Sequence, residues 1–168
     1  MIIKTFEINR KKFDKENFFL IYGENEGLKN EIIKILKKNL NGNIENFDET
    51  QIVSNSELLY EKVFNQSFFE KEKIIIINRC SDKICTIIEN IIEKENSDIK
   101  IILNAGILDK KSKLRNLFEK SRELIIVPTY KDNSVTLADI AKKFFNNYKI
   151  SISQETINLL VSRCNGDR

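Results

Sequence analysis

The chain has 168 residues, of which 41% are hydrophobic and 32% charged, and its formal net charge is +3. This length allows one full domain, or one domain and part of another, with enough apolar side chains for a core. The charge is too small to indicate nucleic-acid or membrane binding by itself. The sequence contains no histidine, which excludes histidine-based catalytic triads and histidine metal sites.

Cysteine usage and hydropathy indicate a cytoplasmic protein with no membrane segment. Cys80, Cys85 and Cys164 form no Cys-x-x-Cys pair, a pattern typical of small buried thiols in a reducing compartment. The longest purely aliphatic run is Ile74–Ile77, far below transmembrane length. The amino terminus does not resemble a signal peptide, because Glu7 interrupts its apolar residues.

Strands and helices are predicted to alternate along the first 127 residues. Short aliphatic runs bounded by polar residues indicate strands buried on both faces, and apolar residues at helical spacing indicate the segments between them. This alternation predicts an α/β fold with a parallel sheet covered on both faces. The predicted strands are residues 2–7 (a short edge strand), Phe18–Tyr22, Ile44–Phe47, Lys73–Ile77, Ile99–Leu103 and Leu124–Val127, the last stopped by Pro128.

The predicted helices lie between these strands. Helix signals include Asn41-Gly42-Asn43 as a stop and Ser54 with Glu57 as a capping box. Residues 48–54 read as a polar linker. The predicted helices are Leu28–Leu40, Ser54–Phe64, Asp82–Glu95 and Ser112–Lys120.

The composition changes near residue 130, where two helices follow each other with no strand between them. Val135–Tyr148 and Ser153–Val161 read as these helices, after a polar hinge at Thr129–Asn133. We therefore expect a sheet domain at residues 1–132 and an incomplete helical domain at residues 133–168. Asn165–Arg168 would normally lead into another helix, so we interpret the chain as a fragment of a longer one.

The most informative stretch is residues 17–33, where an apolar run leads through a glycine-bracketed loop into an amphipathic helix. This is the layout of a phosphate-binding strand-loop-helix. Gly23 stands at the first glycine position, and Lys29 follows six residues later, where the motif places its lysine. Leu28 occupies the second glycine position, and Asn30 replaces the Ser or Thr that contacts magnesium.

Other features of this loop argue against ATP hydrolysis. Glu24 and Glu26 place two carboxylates in a loop that should hold an anion. A P-loop ATPase also needs an acidic residue after its second core strand, but Ile74–Ile77 is followed by no carboxylate until Asp82. We therefore expect no catalytic residue, metal or cofactor, with Gly23 and Gly27 only making a tight turn. A divergent P-loop NTPase or ATP-dependent switch that uses Lys29 stays open as the alternative.

Two adjacent aromatic residues, Phe68 and Phe69, stand between a polar helix and a charged run. Adjacent residues of a regular element cannot both face one core, so we expect one ring to point inward and one outward. An exposed aromatic ring with charged neighbours is typical of an interface anchor.

The densest basic cluster consists of Lys110, Lys111, Lys113 and Arg115. It could meet phosphates as a DNA-binding module, although a solvated helix face is the commoner reading of such a run. Asn104, just past the third core strand, lies where nucleotide-sensing side chains are found in such sheets.

In order and spacing, the sequence resembles one family, the delta subunit of the bacterial DNA polymerase III clamp loader. The resemblance covers the whole of this chain, which corresponds to only about the first half of a family member. The features that carry it are Phe19–Glu24, Phe47-Asp48, Ser67-Phe68-Phe69 before Lys73–Ile77, Leu108–Leu114, and Arg163–Asp167.

The resemblance implies an AAA+-like sheet domain without a functional ATP site, a small helical lid, and a third domain that joins the other loader subunits. It implies binding of the sliding clamp (beta subunit) through a Ser-Leu-Phe-like element, here Ser67, Phe68 and Phe69, with Phe68 in place of the usual leucine. Binding would promote ring opening during DNA replication. The chain would catalyse nothing itself, act within a DNA-directed DNA polymerase holoenzyme, and meet primer-template DNA through the complex. Without the third domain, this fragment should be monomeric.

Overall fold

In the computed structural model, residues 1–3, 5–8, 13, 15–39, 43–64, 73–94 and 99–168 are described. They contain one parallel five-stranded sheet with the strand order β2-β3-β4-β1-β5, which confirms the predicted α/β class. The strands are β1 (Phe18–Gly23), β2 (Asn43–Asp48), β3 (Lys73–Cys80), β4 (Ile99–Ala105) and β5 (Ile125–Thr129).

The first helix precedes the first strand, and the other helices connect the strands or follow the last of them. They are α1 (Thr5–Ile8), α2 (Glu26–Asn39), α3 (Glu49–Ser54), α4 (Ser56–Phe64), α5 (Cys85–Glu93), α6 (Lys113–Lys120), α7 (Ser134–Asn147) and α8 (Gln154–Cys164), with a 3₁₀ turn at Asp82–Ile84. Within the described part of the chain, no helix is long and apolar enough to cross a bilayer.

Alternate residues of each strand face opposite sides of the sheet. Both sides are buried in β1, β3, β4 and β5, whereas the residues of the edge strand β2 are exposed or half-buried. In β1, Leu20 belongs to a cluster with side chains of α3 to α6, whereas Phe19 and Ile21 pack with α2. In β3, Ile75 and Ile77 likewise face the first side. The aliphatic runs in the sequence are therefore the consequence of burial on both faces.

The segment predicted as a polar linker, residues 48–54, is instead a short helix, and the predicted capping box at Ser54 is wrong. Asp48 caps α3 by accepting a hydrogen bond from the Thr50 amide, while the Gln51 side chain accepts one from the Asp48 amide. Ser54 is the last residue of α3, and α4 begins at Ser56. Six residues are too few to show helical periodicity in the sequence. The spacing of Asp48 and Gln51, however, is that of a capping box and could have predicted the start of α3.

The amino-terminal segment and Pro128 also differ from expectation. Among the described residues of the range 2–7, Ile2 alone makes a bridge, to Ile126, and Thr5–Ile8 is helical. Strand β5 continues through Pro128 to Thr129 instead of stopping. The amide and carbonyl of Ile126 bond to Met1 and Ile3, so the backbone nitrogen two residues later also faces the outer edge, where proline removes no bond to β1.

Several other boundaries shift. Strand β3 runs to Cys80, with an irregularity between Asn78 and Cys80, and β4 runs to Ala105, which places Asn104 inside the strand. The helix predicted from Asp82 opens as a 3₁₀ turn and ends at Glu93, while residue 95 lies outside the described residues. Helix α2 ends at Asn39, β2 begins at Asn43, and residues 40–42 are not described.

Helices α7 and α8 pack mainly on each other. Their buried residues are Leu137 and Ile157, neither of which belongs to the two clusters of the sheet. After α8 the chain contacts the segment that follows β5, where the Gly166 carbonyl accepts a hydrogen bond from the Asp132 amide at 2.8 Å.

Candidate functional site

The turn between β1 and α2 lies at the carboxyl edge of the sheet, where parallel α/β sheets bind ligands. Gly23 ends β1 with a φ of +141°, and a Cβ atom there would lie 2.1 Å from the carbonyl oxygen of Thr129. The Gly23 amide donates to the Gly106 carbonyl at 3.0 Å. Glycine is required here by the close approach of β5 as well as by the backbone angle.

Asn25 is completely buried and caps α2. Its Oδ1 accepts from the Leu28 amide at 2.9 Å, as an N-cap asparagine does. Its Nδ2 donates to the Asp132 carboxylate at 2.8 Å and also lies within hydrogen-bond distance of the carbonyls of Tyr130 and Gly166. One side chain thus ties the loop to two segments more than 100 residues away.

Lys29, at the position of the phosphate-binding lysine, is only 2% exposed and has its partners within the protein. Its Nζ donates to the Ala105 carbonyl at 2.9 Å and pairs with Glu26 at 2.7 Å. The ammonium group is therefore neutralised by an acid of the first turn of α2. Asn30, at the Ser/Thr position, is exposed on α2.

The first turn of α2 also has a carboxylate from the carboxyl-terminal segment. The Gly27 amide donates to Oδ1 of Asp167 at 2.8 Å. The amino end of a helix carries a partial positive charge and free amides, which is why phosphates bind there in P-loops. In this chain an aspartate makes that contact.

The carboxyl ends of β3 and β4 carry two asparagines. Asn104 donates through Nδ2 to Oδ1 of Asn78 at 3.1 Å, and Asn78 donates to the Phe47 carbonyl at 3.4 Å. Asn78 stands at the strand end where a P-loop ATPase needs an acid for magnesium. Oδ1 of Asn104 is buried and finds no hydrogen-bond partner among the described residues.

The four predicted DNA contacts do not form one exposed cluster. Lys110, Lys111 and Lys113 are exposed. Arg115 is half-buried, pairs with Glu119 at 2.8 Å, and lies with its guanidinium 5.2 Å from the centre of the Tyr22 ring. Its hydrogen bond with Glu119 raises the pKa of Arg115 despite partial burial.

The predicted clamp-binding residues Ser67, Phe68 and Phe69 lie outside the described residues. The described chain stops before them at Phe64 and resumes at Lys73. Phe64 stacks on Tyr60 with 6.1 Å between ring centres, and the Lys94 ammonium lies 5.1 Å from the Phe64 ring centre.

Sequence reasoning missed Asn25, Asp167 and the pair of Tyr60 and Phe64. Asn25 could have been found as an N-cap before a helix, and Tyr60 with Phe64 as an aromatic pair at helical spacing. Nothing local marks Asp167 as a neighbour of Gly27. Within the described ranges, no three acidic, cysteine or histidine side chains are grouped as they would be around a metal ion.

Comparison with known proteins gives matches among solved structures alone. No family model matches the chain, and no curated protein matches it. The chain is similar to the Bacillus subtilis DNA clamp loader delta protein YqeN, with a TM-score of 0.59 and 16% identity over 94% of this chain and 51% of that one. It thus spans about half the length of that protein.

Two further structures are similar. Domain III of the Thermotoga maritima replication initiation protein DnaA matches with a TM-score of 0.51 and 11% identity, over 97% of this chain and 75% of that one. A katanin structure that concerns its self-assembly matches with a TM-score of 0.55 and 17% identity, over 89% of this chain and 53% of that one. The chain therefore shares its fold with these three proteins.

Proposed function

We propose that this chain is the amino-terminal part of a clamp-loader delta-type subunit, which binds the sliding clamp and promotes its opening during DNA replication. Residues 1–132 form its AAA+ sheet domain, and residues 133–168 begin a helical lid. The observation that carries the proposal is an AAA+ fold whose phosphate-loop lysine, Lys29, is buried against Ala105 and Glu26.

This geometry favours a subunit that works by binding rather than by hydrolysis. A P-loop lysine must reach the phosphates of the nucleotide, and the acid after β3 must hold magnesium. Here Lys29 is paired internally and Asn78 replaces the acid. The divergent NTPase is for this reason the weaker hypothesis, and the similarity to the Bacillus subtilis delta protein over 94% of the chain supports the stronger one.

The proposed clamp-binding element is Ser67, Phe68 and Phe69, in the connection between α4 and β3. Next to this connection, the described chain exposes an aromatic residue, Phe64, at 36%. Its stack with Tyr60 offers apolar area at the border of the element, and aromatic residues are enriched among interface anchors. Lys94, which lies over both rings, adds a charge at the rim.

Ring opening follows from differential affinity. If the subunit binds the open or relaxed clamp interface more tightly than the closed one, binding shifts the clamp toward the open form. The chain needs no nucleotide for this step. Other loader subunits, joined through the third domain of such a subunit, would supply ATP hydrolysis and bring primer-template DNA into the complex in the cytoplasm.

The test is surface plasmon resonance of the chain on the immobilised cognate clamp. The double variant Phe68→Ala/Phe69→Ala should weaken binding by about 30-fold or more for each ring that acts as a hot spot. Phe144→Ala/Tyr148→Ala is a matched control, because it removes two exposed rings, one in α7 and one directly after it. Equal clamp affinity of the first variant and the wild type would contradict the proposal.

A DNA-binding role through Lys110, Lys111 and Lys113 is the remaining alternative. Their exposure permits phosphate contacts, and Arg115 is already paired with Glu119. Direct binding would show a steep dependence of DNA affinity on salt, reduced when the three lysines are neutralised.

A further inference from the structure

The carboxyl-terminal segment Asn165–Arg168 lies over the amino end of α2. The Asp167 carboxylate accepts from the Gly27 amide, and the Arg168 backbone approaches so closely that a Cβ atom on Gly27 would lie 1.5 Å from its carbonyl oxygen. In a P-loop, the phosphates of the nucleotide bind in this space at the first turn of the helix. The chain fills it with its own backbone and carboxylate.

A second layer of contacts fixes this segment from the side. Arg168 donates to both oxygens of Asp132, each at 2.8 Å, and to Glu31 of α2 at 2.8 Å. Such a two-point arginine–carboxylate pair sets orientation as well as distance. Asn25 adds its amide to the same carboxylate at 2.8 Å.

The charges agree with this geometry. Hydrogen bonds to Asp132 raise the pKa of Arg168, although burial opposes the shift. Burial alone would raise the pKa of Asp132, but the hydrogen bonds from Arg168 and Asn25 outweigh it and lower that pKa. Both groups are therefore held in their charged forms where β5 leads into α7.

We propose that residues 165–168 are an intramolecular latch that takes the place of a nucleotide. The Asp167 carboxylate occupies the anion position of α2, and Arg168 clamps Asp132, so that the position of α7 and α8 on the sheet is set without any nucleotide. In a nucleotide-dependent protein of this fold, such a connection would have to change with the ligand. Here it is built from side chains and persists in every ligand state. The latch does not depend on clamp binding.

Distance measurements between two spin labels test the latch. Labels are attached at Lys34→Cys on α2 and Lys142→Cys on α7, both exposed, in a Cys164→Ser background that removes the exposed native thiol. The parent protein should give one narrow distance distribution that millimolar Mg-ATP or Mg-ADP leaves unchanged. Asp167→Ala and Arg168→Gln should each broaden it at least about twofold, whereas Asp139→Ala, an exposed acid of α7, should not.

An anion probe separates the two halves of the latch. Removing the Asp167 carboxylate frees the Gly27 amide for another anion, so millimolar pyrophosphate should raise the Tm of Asp167→Ala by about 3 °C. It should leave the parent and Arg168→Gln unchanged, because Asp167 still fills the position in both. Far-UV circular dichroism verifies that each variant is folded.

Three results would overturn the latch. The first is a distance distribution in Asp167→Ala that matches the parent. The second is a shift of the parent distribution by nucleotide. The third is a Tm increase with pyrophosphate that is the same in the parent and in Asp167→Ala, or absent from both.

Discussion

Gly23 combines a backbone angle that favours glycine with a close approach of another strand. Its φ of +141° excludes most side chains, and an added Cβ would lie 2.1 Å from the Thr129 carbonyl oxygen. Gly23→Ala should therefore lower the free energy of unfolding by more than about 1 kcal/mol. Gly106→Ala is the matched control, since a Cβ there meets no atom within 4 Å. Urea unfolding measures both, and equal stability of the two variants would contradict this account.

The three thiols differ in access. Burial raises the pKa of Cys80 strongly and, together with Glu89, raises the pKa of Cys85 to about 11, while Cys164 is exposed at the end of α8. At pH 8, a disulfide reagent such as Ellman's should react with one thiol per chain within minutes and with three in denaturant. Cys164→Ser should abolish the rapid phase. Rapid reaction of two thiols in the folded wild type would show that Cys80 or Cys85 is accessible, which would contradict their burial.

Lys29 shows how far single residues can be read from sequence. Spacing from Gly23 locates it at the start of α2, and the acids nearby indicate a damaged phosphate loop. Its carbonyl partner, Ala105, is 76 residues away, and the contact arises because β4 lies beside β1 in the sheet. Such a contact depends on strand order, which the local pattern does not contain.

Among the helices, α6 depends on a buried cap. Ser112 accepts from the Arg115 amide at 3.2 Å and donates to Asp82 at 2.6 Å. Ser112→Ala should cost about 1–2 kcal/mol, because the buried Ser112 hydroxyl loses both its cap contact and its hydrogen bond to Asp82. The hydrogen bond from Ser112 also lowers the pKa of Asp82, so the variant should raise that pKa, as NMR titration would show.

The matched control for this cap is Ser153→Ala. Ser153 caps α8 in the same way, by accepting from the Thr156 amide, but it is exposed. Its loss should cost about 0.5 kcal/mol, because water replaces the hydroxyl. A larger loss at Ser153 than at Ser112 would show that burial does not govern these caps.

Element positions follow from sequence where a segment is long or aliphatic, and fail where it is short. The hydrophobic pattern of the sequence predicts the sheet strands and α2. Helix α3 has six residues, of which only Ile52 is fully buried. Its sequence is therefore as polar as that of a linker, and its helical structure is not evident from composition. Pro128 misleads for another reason, because its effect depends on whether its nitrogen faces β1 or the outer edge.

At the scale of the whole molecule, Asp132 makes stability depend on pH. Its pKa is lowered in the folded chain by Arg168 and Asn25 against the effect of burial. The resulting stabilisation is fully present above the unfolded pKa of about 3.9 and is lost as the pH falls through the lower folded value. Two other acids lie near Asp132 and Arg168. Glu31 accepts a hydrogen bond from Arg168, and Asp167 accepts one from the Gly27 amide.

Urea unfolding of the wild type and Asp132→Asn between pH 2 and pH 7 measures this contribution. The difference in unfolding free energy should be constant above about pH 5 and shrink toward acid pH. Glu24→Gln is a control, because Glu24 makes only an exposed pair with Lys131 at 3.5 Å. A difference that grows on acidification would contradict the assigned sign.

The layered architecture was predictable because burial on both faces leaves its mark on every central strand. The approach of residues 165–168 to residues 25–31 was not, because it joins segments about 140 residues apart through polar contacts. Hydrophobic periodicity records what is buried in a layer. It does not record which polar ends meet above the sheet.

The amino-terminal pairing with Ile126 bears on how this protein behaves at high concentration. An unpaired outer strand is a template for another chain, and β5 would be one if Met1–Ile3 did not bond along it. Pro128 blocks the rest of that edge, since it offers no amide to an incoming strand. Trimming the first three residues should thus remove Ile3 from the core, which lowers stability, and should also make the protein self-associate by strand addition at β5.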